Sequence, residues 1–266
     1  MIANSKLWKQ SGHWDYYKDN MFTFKIKDES SDNNEDSHTF SNKPMNCPFH
    51  CLMYLNKVRS YRDLPLRLAD FGSLHRNELS GSLHGLTRVR KFSQDDAHIF
   101  CRMDQVLEEV TNSLSFLNTI YSKLGFSEYK ITLSTRPNKF MGDLDIWDTA
   151  EKYLQKALES LQLKYSVNDK DGAFYGPKID VMVCDNLKRE HQCGTIQLDF
   201  QLPISFNLQY KTDSESFEKP VIVHRAILGS VERLMAILLE HCSGRLPFFC
   251  SPRQILIVPI NKKVDE

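Results

Sequence analysis

Hydrophobic positions recur along this chain with two periods. Val106, Val110, Leu114, Leu117, Tyr121 and Leu124 fall on one face of a helix, which the spacing predicts from a cap at Asp104 through Lys123, with Gly125 ending it. A second helix is expected over Trp147–Leu161, with Ala150, Leu154, Ala157, Leu158 and Leu161 inward. Elsewhere the period is two. In Pro177–Val183, Ile179, Val181 and Val183 alternate with Lys178, Asp180 and Met182. In Gly194–Phe200, Ile196, Leu198 and Phe200 alternate with Thr195, Gln197 and Asp199. The polar stretch Asp185–His191 between them suits an antiparallel connection. A short strand at Val221–His224 leads to a helix opening near Gly229-Ser230, with Val231, Leu234, Met235 and Leu238 as its buried stripe. Ile255–Pro259 reads as a further apolar strand with no domain to belong to. Strands outnumber helices and run sequentially antiparallel, so the fold class is α+β rather than a doubly wound parallel sheet.

One stretch breaks the apolar pattern. If Arg88–His98 is a single strand, Arg88, Phe92, Gln94, Asp96 and His98 project from one face and Val89, Ala97 and Ile99 from the other. A cation, an aromatic, an amide, a carboxylate and an imidazole in one row suit a working surface better than a core. Arg76 and Glu78 lie just upstream and fall at one parity with Arg88 and Phe92 if the two segments pair.

Composition narrows the class. With 266 residues and 41% hydrophobic content, the chain can bury a large single core. Lys+Arg 34 balances Asp+Glu 34, so any nucleic-acid contact must come from a local patch. No apolar run is long enough to span a bilayer, and no secretory signal opens the chain, so no membrane partner is expected. The seven cysteines contain no Cys-x-x-Cys pair and read as reduced thiols in the cytosol or the mitochondrial matrix. Asp28–Ser41, rich in Asp, Glu, Ser and Asn, reads as a solvated loop. Neither a Gly-x-x-x-x-Gly-Lys loop nor a Gly-x-Gly-x-x-Gly motif occurs, so the two commonest nucleotide cradles are excluded.

Several motifs together resemble the threonyl-tRNA synthetase family. They are Gly12-His13-Trp14, Lys43-Pro44-Met45-Asn46-Cys47-Pro48, His75-Arg76-Asn77-Glu78, Gln94–Phe100, Asp171–Lys178 and His224-Arg225-Ala226, in family order over nearly the whole chain. Arg76-Asn77-Glu78 is similar to the second class II signature motif and Gly229–Arg233 to the third. Leu64-Pro65-Leu66-Arg67, Arg90-Lys91-Phe92 and the lack of an editing domain here are most similar to the fungal mitochondrial form, which implies the mitochondrial matrix, with the cytoplasm as the alternative. The resemblance implies a class II antiparallel sheet flanked by helices, with residues 1–250 as catalytic core and 251–266 as a stub of the anticodon-binding domain.

It also implies chemistry: threonine is activated by ATP to threonyl-adenylate and then transferred to tRNA(Thr). Cys47, His98 and His224 become zinc ligands; spacing alone favours a buried Cys and two ordinary histidines, because structural zinc sites show close ligand pairs. An open position on such a metal would take the amino group and hydroxyl of threonine, rejecting valine, which an apolar pocket separates only about a hundredfold. Gln94, Asp96, Tyr175, Thr195 and Gln197 would complete the threonine pocket. For Thr195 and Gln197 alone, a half-exposed sheet is an equally good reading. For ATP with magnesium, the resemblance assigns Arg76 and Arg88 to phosphates and Phe92 with Arg233 to an adenine sandwich. Glu78, Lys178, Gln192 and Ser230 complete the nucleotide set. Arg76 and Lys178 would neutralise the reacting phosphate, and His13, titrating near working pH, would help deprotonate the tRNA ribose hydroxyl.

The chain also departs from the family. It begins inside the first motif and ends where the anticodon-binding domain should begin, so the homodimer expected of the intact family lacks part of its interface here. Phe49 stands where the family has Gly. A non-catalytic paralogue that binds zinc and ATP as an interaction module is therefore the competing reading. A zinc hydrolase is disfavoured because no His-Glu-x-x-His occurs.

Overall fold

The computed structural model describes residues 1–26, 38–126, 128–185 and 187–258. A seven-stranded sheet forms the centre, in the order Tyr165–Asn168, Tyr129–Ser134, Lys178–Cys184, Glu190–Asp199, Val221–Ala226, Asp96–Cys101 and Leu66–Asp70. The first pair is parallel and the others are antiparallel. This is the expected α+β class with a mainly antiparallel sheet.

Alternation divides the sheet into two chemistries. Ile99, Ile131, Leu133, Ile179, Val181, Ile196, Leu198 and Val223 point to one side and pack against helices Val106–Leu124, Leu144–Ser160 and Val231–His241. The odd–even switch sends Lys178, Asp180, Thr195, Gln197, Asp199, His224, Asp96 and His98 to the other. Register then lines up Lys178 with Gln197, Gln197 with His224, and His224 with His98, a row across four neighbouring strands. The helical layer leaves this polar row facing outward, which fixes where a site can form.

Several boundaries differ from the sequence reading. The first long helix starts at Val106 after a 3-10 turn at Met103–Gln105, where Asp104 instead pairs with Arg102 at 2.8 Å. Gly125 closes it in the left-handed region, φ 86°, as expected. The second ends at Ser160, leaving Leu161 half-buried beyond it. In the last helix Ile237 joins Leu234 and Leu238 inside, while Met235 is 50% exposed, because the inward set follows i, i+3, i+4 from Leu234. Arg88–His98 is not one strand: Lys91–Ser93 hairpins with Ser73–His75, and Asp96–Cys101 belongs to the large sheet. The supposed loop Asp28–Ser41 lies mostly outside the described residues, but Thr39–Asn42 is a strand between Ile2–Asn4 and Thr23–Lys25. Residues 255–258 form no strand, and Pro259 lies outside the described residues.

Candidate active site

Two cavities open on the polar face. One, of about 490 Å³, is lined by Cys47, Asp96, His98, Tyr175, Gln197 and His224 among others. Its neighbour, of about 370 Å³, is lined by Glu78, Arg88, Phe92, Ser230 and Arg233 among others. Arg76, Gln94, Gln192 and Thr195 line both, so they form a shared wall. Lys178 lines the first. Every site residue expected from sequence therefore borders this double cavity except His13, which is fully buried behind it.

At the floor of the first cavity, one donor atom each from Cys47, His98 and His224 lies within 4.8 Å of the others, and all three residues are buried. His98 and His224 are direct cross-strand partners, and Cys47 arrives at the start of helix Cys47–Leu55. Their outer partners fix the ring faces. Asp199 Oδ2 sits 2.9 Å from His224 Nε2, and His50 Nδ1 sits 2.7 Å from His98 Nδ1, leaving one nitrogen of each ring for the cluster. Burial pushes the His98 ring well below its ordinary value, so it is a neutral lone-pair donor. Burial pushes the Cys47 thiol well up, and a cation beside it would reverse that. Three such donors close together, the two histidines braced from outside, fit a zinc ion with one position open.

Asp96 lies beside this cluster, its Oδ1 3.8 Å from His98 Nε2, while Asn46 Nδ2 donates to its other oxygen at 3.0 Å. Burial raises its carboxyl to about 6. Tyr175 stacks on His224 with ring centroids 5.0 Å apart and donates its hydroxyl to Gln197. Phe49, in the family's glycine position, packs edge-on against Trp8 at 5.7 Å and does not line the cavity.

The second cavity collects cations. The Arg76 guanidinium lies 5.0 Å from the Phe92 ring centroid, and Arg88 Nη2 pairs with Glu78 at 2.8 Å. Arg233 donates to Thr87 O at 2.6 Å and to Gln192 O at 2.8 Å, which holds its plane at the cavity edge. Ser230 caps its helix by accepting from the Arg233 N–H at 3.3 Å. Lys178 is 2.8 Å from Asp180; burial lowers its ammonium's affinity for a proton, but the Asp180 and Asp171 carboxylates outweigh that and raise it.

Sequence reasoning missed the support residues. Asp95, placed by parity on the apolar side, accepts backbone N–H groups from Ile227, Leu228 and Gly229 at 2.8–3.0 Å and anchors the turn into Ser230. His50 stands three residues after Cys47 on the same helix, and Asp199 shares a strand face with Thr195 and Gln197, so helical spacing and parity could have found both. His13 also departs from expectation: burial lowers its imidazole to about 3, so it does not titrate near working pH.

Comparison with known proteins gives the family of this chain. Residues 22–242 match the tRNA synthetase class II core domain (G, H, P, S and T). The chain is 57% identical over its full length to human cytoplasmic threonine–tRNA ligase 1, spanning 35% of that protein. It is also 57% identical over 98% of its length to the cytoplasmic threonine–tRNA ligase of Saccharomyces cerevisiae, again 35% of that protein. The chain thus spans about a third of these relatives. A crystal structure of the RNA binding domain of threonyl-tRNA synthetase from Cryptosporidium parvum Iowa II superposes with TM-score 0.89 at 55% identity, covering 95% of this chain and 61% of that one. The expected likeness to a mitochondrial form is corrected here, because these relatives, the fungal one included, are named cytoplasmic. The chain belongs to the class II tRNA synthetase core family.

Proposed function

We propose that this chain is the activation core of a threonine–tRNA ligase, residues 1–250, followed by the start of an anticodon-binding domain at 251–266. The observation that carries this reading is the shared wall: Arg76, Gln94, Gln192 and Thr195 border both a cavity floored by Cys47, His98 and His224 and a cavity of cations and Phe92. Such a wall holds two reactants in contact, which is what joining a carboxylate to a nucleotide α-phosphate requires.

Cys47, His98 and His224 would hold zinc, which when bound supplies a Lewis-acidic centre suited to the amino and hydroxyl groups of threonine and not to the methyl of valine. Asp96 accepts from the threonine amino group, with Gln94, Tyr175, Thr195 and Gln197 around it. Arg76 neutralises charge on the α-phosphate, and Arg88, with magnesium on ATP, takes the terminal phosphates. Phe92 and Arg233 clasp adenine, and Glu78, Gln192 and Ser230 line its sugar and phosphates. The threonine carboxylate displaces pyrophosphate in line, with Lys178 stabilising the charge, and needs positioning more than a base. The terminal ribose hydroxyl of tRNA(Thr) then attacks the adenylate carbonyl with help from His13. The intact protein is proposed to act as a homodimer in the cytoplasm, the compartment in its relatives' names.

Threonine-dependent ATP–pyrophosphate exchange by the purified chain tests the reading. Exchange that serine supports weakly and valine not at all is expected. Zinc binding without exchange would instead favour a non-catalytic interaction module.

A further inference from the structure

Asp180 lines neither cavity, yet it holds three residues that do. It lies on the Lys178–Cys184 strand, is 4% exposed, and faces Thr195 across the neighbouring strand. A register shift between Asp180 and Met182 inserts an extra residue into the opposite strand, and this bulge brings Gln192 onto the face of Thr195. Without it, strict alternation would turn Gln192 toward the helices.

The two carboxylate oxygens divide their partners. Oδ2 takes the Lys178 ammonium at 2.8 Å and shares the Ser134 hydroxyl, at 3.4 Å, with Asp171. Oδ1 takes Gln192 Nε2 at 2.5 Å and the Thr195 hydroxyl at 3.0 Å. Gln192 Nε2 also donates to Thr195 Oγ1 at 3.1 Å. An ionised carboxylate only accepts, so it dictates the polarity of everything around it. Thr195 must direct its proton to Asp180. Gln192 must turn its amide nitrogen inward, and both N–H groups are then used within the cluster. What Gln192 has left to offer the cavities is its carbonyl oxygen.

We infer that Asp180 is a positioning residue that fixes the polarity of the wall between the two cavities, so that Gln192 presents an acceptor there and selects a reactant bringing a hydrogen-bond donor. The inference rests on the proposed activation reaction. Two reactants carry such a donor: the nucleotide, through a ribose hydroxyl, and the amino acid, through its amino group.

The test measures KM and kcat in threonine-dependent exchange for the wild-type chain, Asp180→Asn and Gln192→Met, using ATP, its 2′-deoxy and 3′-deoxy analogues, and threonine. An asparagine carries its own N–H donors, which frees the Gln192 amide to reverse. About a tenfold rise in the KM of one reactant, with kcat changing less, is expected in both variants. If the ribose is the donor, the wild type discriminates against one deoxy analogue and Gln192→Met loses that discrimination. If the amino group is the donor, the KM for threonine rises instead and the ratios among nucleotides stay fixed. Should Asp180→Asn not fold, Gln192→Met carries the test alone. Unchanged KM values in the folded variants, or equal losses tracking the fraction of folded protein, overturn the inference. A wild-type chain without exchange removes the activation reading itself, and is told apart because no variant is needed to see it.

Discussion

The Nδ1 atoms of His50 and His98 lie 2.7 Å apart, so one ring donates and the other accepts, and His98 keeps Nε2 for the three-donor cluster. Asp199 does the same for His224 from the far side, at 2.9 Å from its Nε2. Cross-strand pairing brings the two rings together, but these outer partners choose which nitrogens converge.

Asp199→Asn and His50→Phe should therefore each weaken zinc binding by about 10–100-fold while the ligands themselves remain. Competition with a chromophoric chelator measures this without any enzymatic assay. Asp199 also accepts the backbone N–H groups of Gln201 and Leu202, at 2.7 and 3.1 Å, so its variant should lose thermal stability as well. His50→Phe separates the two effects. Wild-type affinity in both variants would remove the bracing role.

A second prediction concerns Gly176, between Tyr175 and the strand that carries Lys178. A methyl group there would stand 1.8 Å from the backbone oxygen of Leu198, which no side-chain rotation relieves. At Gly81 a methyl group would meet nothing within 4 Å. Gly176→Ala should destabilise the chain by roughly 3 kcal/mol or more, whereas Gly81→Ala should stay within about 0.5 kcal/mol of wild type. Urea midpoints compare the two. Equal midpoints would mean that the strands separate at no cost.

The turn between the two central strands predicts a pH dependence. Asp185 is buried, which alone would raise its carboxyl. Hydrogen bonds from His191 and Arg189, the latter through both its backbone N–H and its guanidinium, instead hold it well below the ordinary carboxylate range. A carboxyl depressed in the folded state favours folding above its unfolded value, near 4, and loses that contribution as pH falls through the folded value. Asp185→Asn should therefore lower the urea midpoint at pH 7, and the gap to wild type should narrow near pH 3. A gap independent of pH would assign the effect to packing.

Much of the sheet was legible because its alternation is strict: Ile179/Val181 and Ile196/Leu198 face the helices in both the sequence and the fold. Residues clustered at the double cavity came from motif resemblance, since Cys47, His98 and His224 are too far apart in sequence for spacing to join them. Parity failed where the backbone departs from a flat strand. Gln192 reaches the polar face only through the bulge opposite Asp180 and Met182. The row from Arg88 to His98 divides because the chain breaks between Ser93 and Asp96 to change sheets. Neither irregularity leaves a mark in hydrophobic period, because each depends on the partner strand. The support residues were missed for a related reason: a buried carboxylate that only holds its neighbours has no composition of its own.

The last prediction separates two steps at His13. The Ser11 hydroxyl donates to Trp8 O at 3.2 Å, so its oxygen accepts from His13 Nδ1 at 2.8 Å, and the ring's lone pair lies at Nε2. That nitrogen faces Met45 Sδ at 3.2 Å and Cys47 Sγ at 3.8 Å, two residues that line the first cavity. The ring is packed edge-on against Trp8 and Phe174 at 5.9 and 5.4 Å, so it is also part of the aromatic support of that wall. If its lone pair assists transfer, His13→Ala should slow aminoacylation of tRNA while leaving pyrophosphate exchange nearly intact, because adenylate formation needs no base there. The cavity left by the ring should also cost stability, on the order of 3 kcal/mol. His13→Asn keeps a polar side chain in the site and controls for that loss. Single-turnover transfer from preformed adenylate gives the first rate, and exchange gives the second. Equal losses in the two, scaling with the fall in stability, would leave His13 a packing residue only.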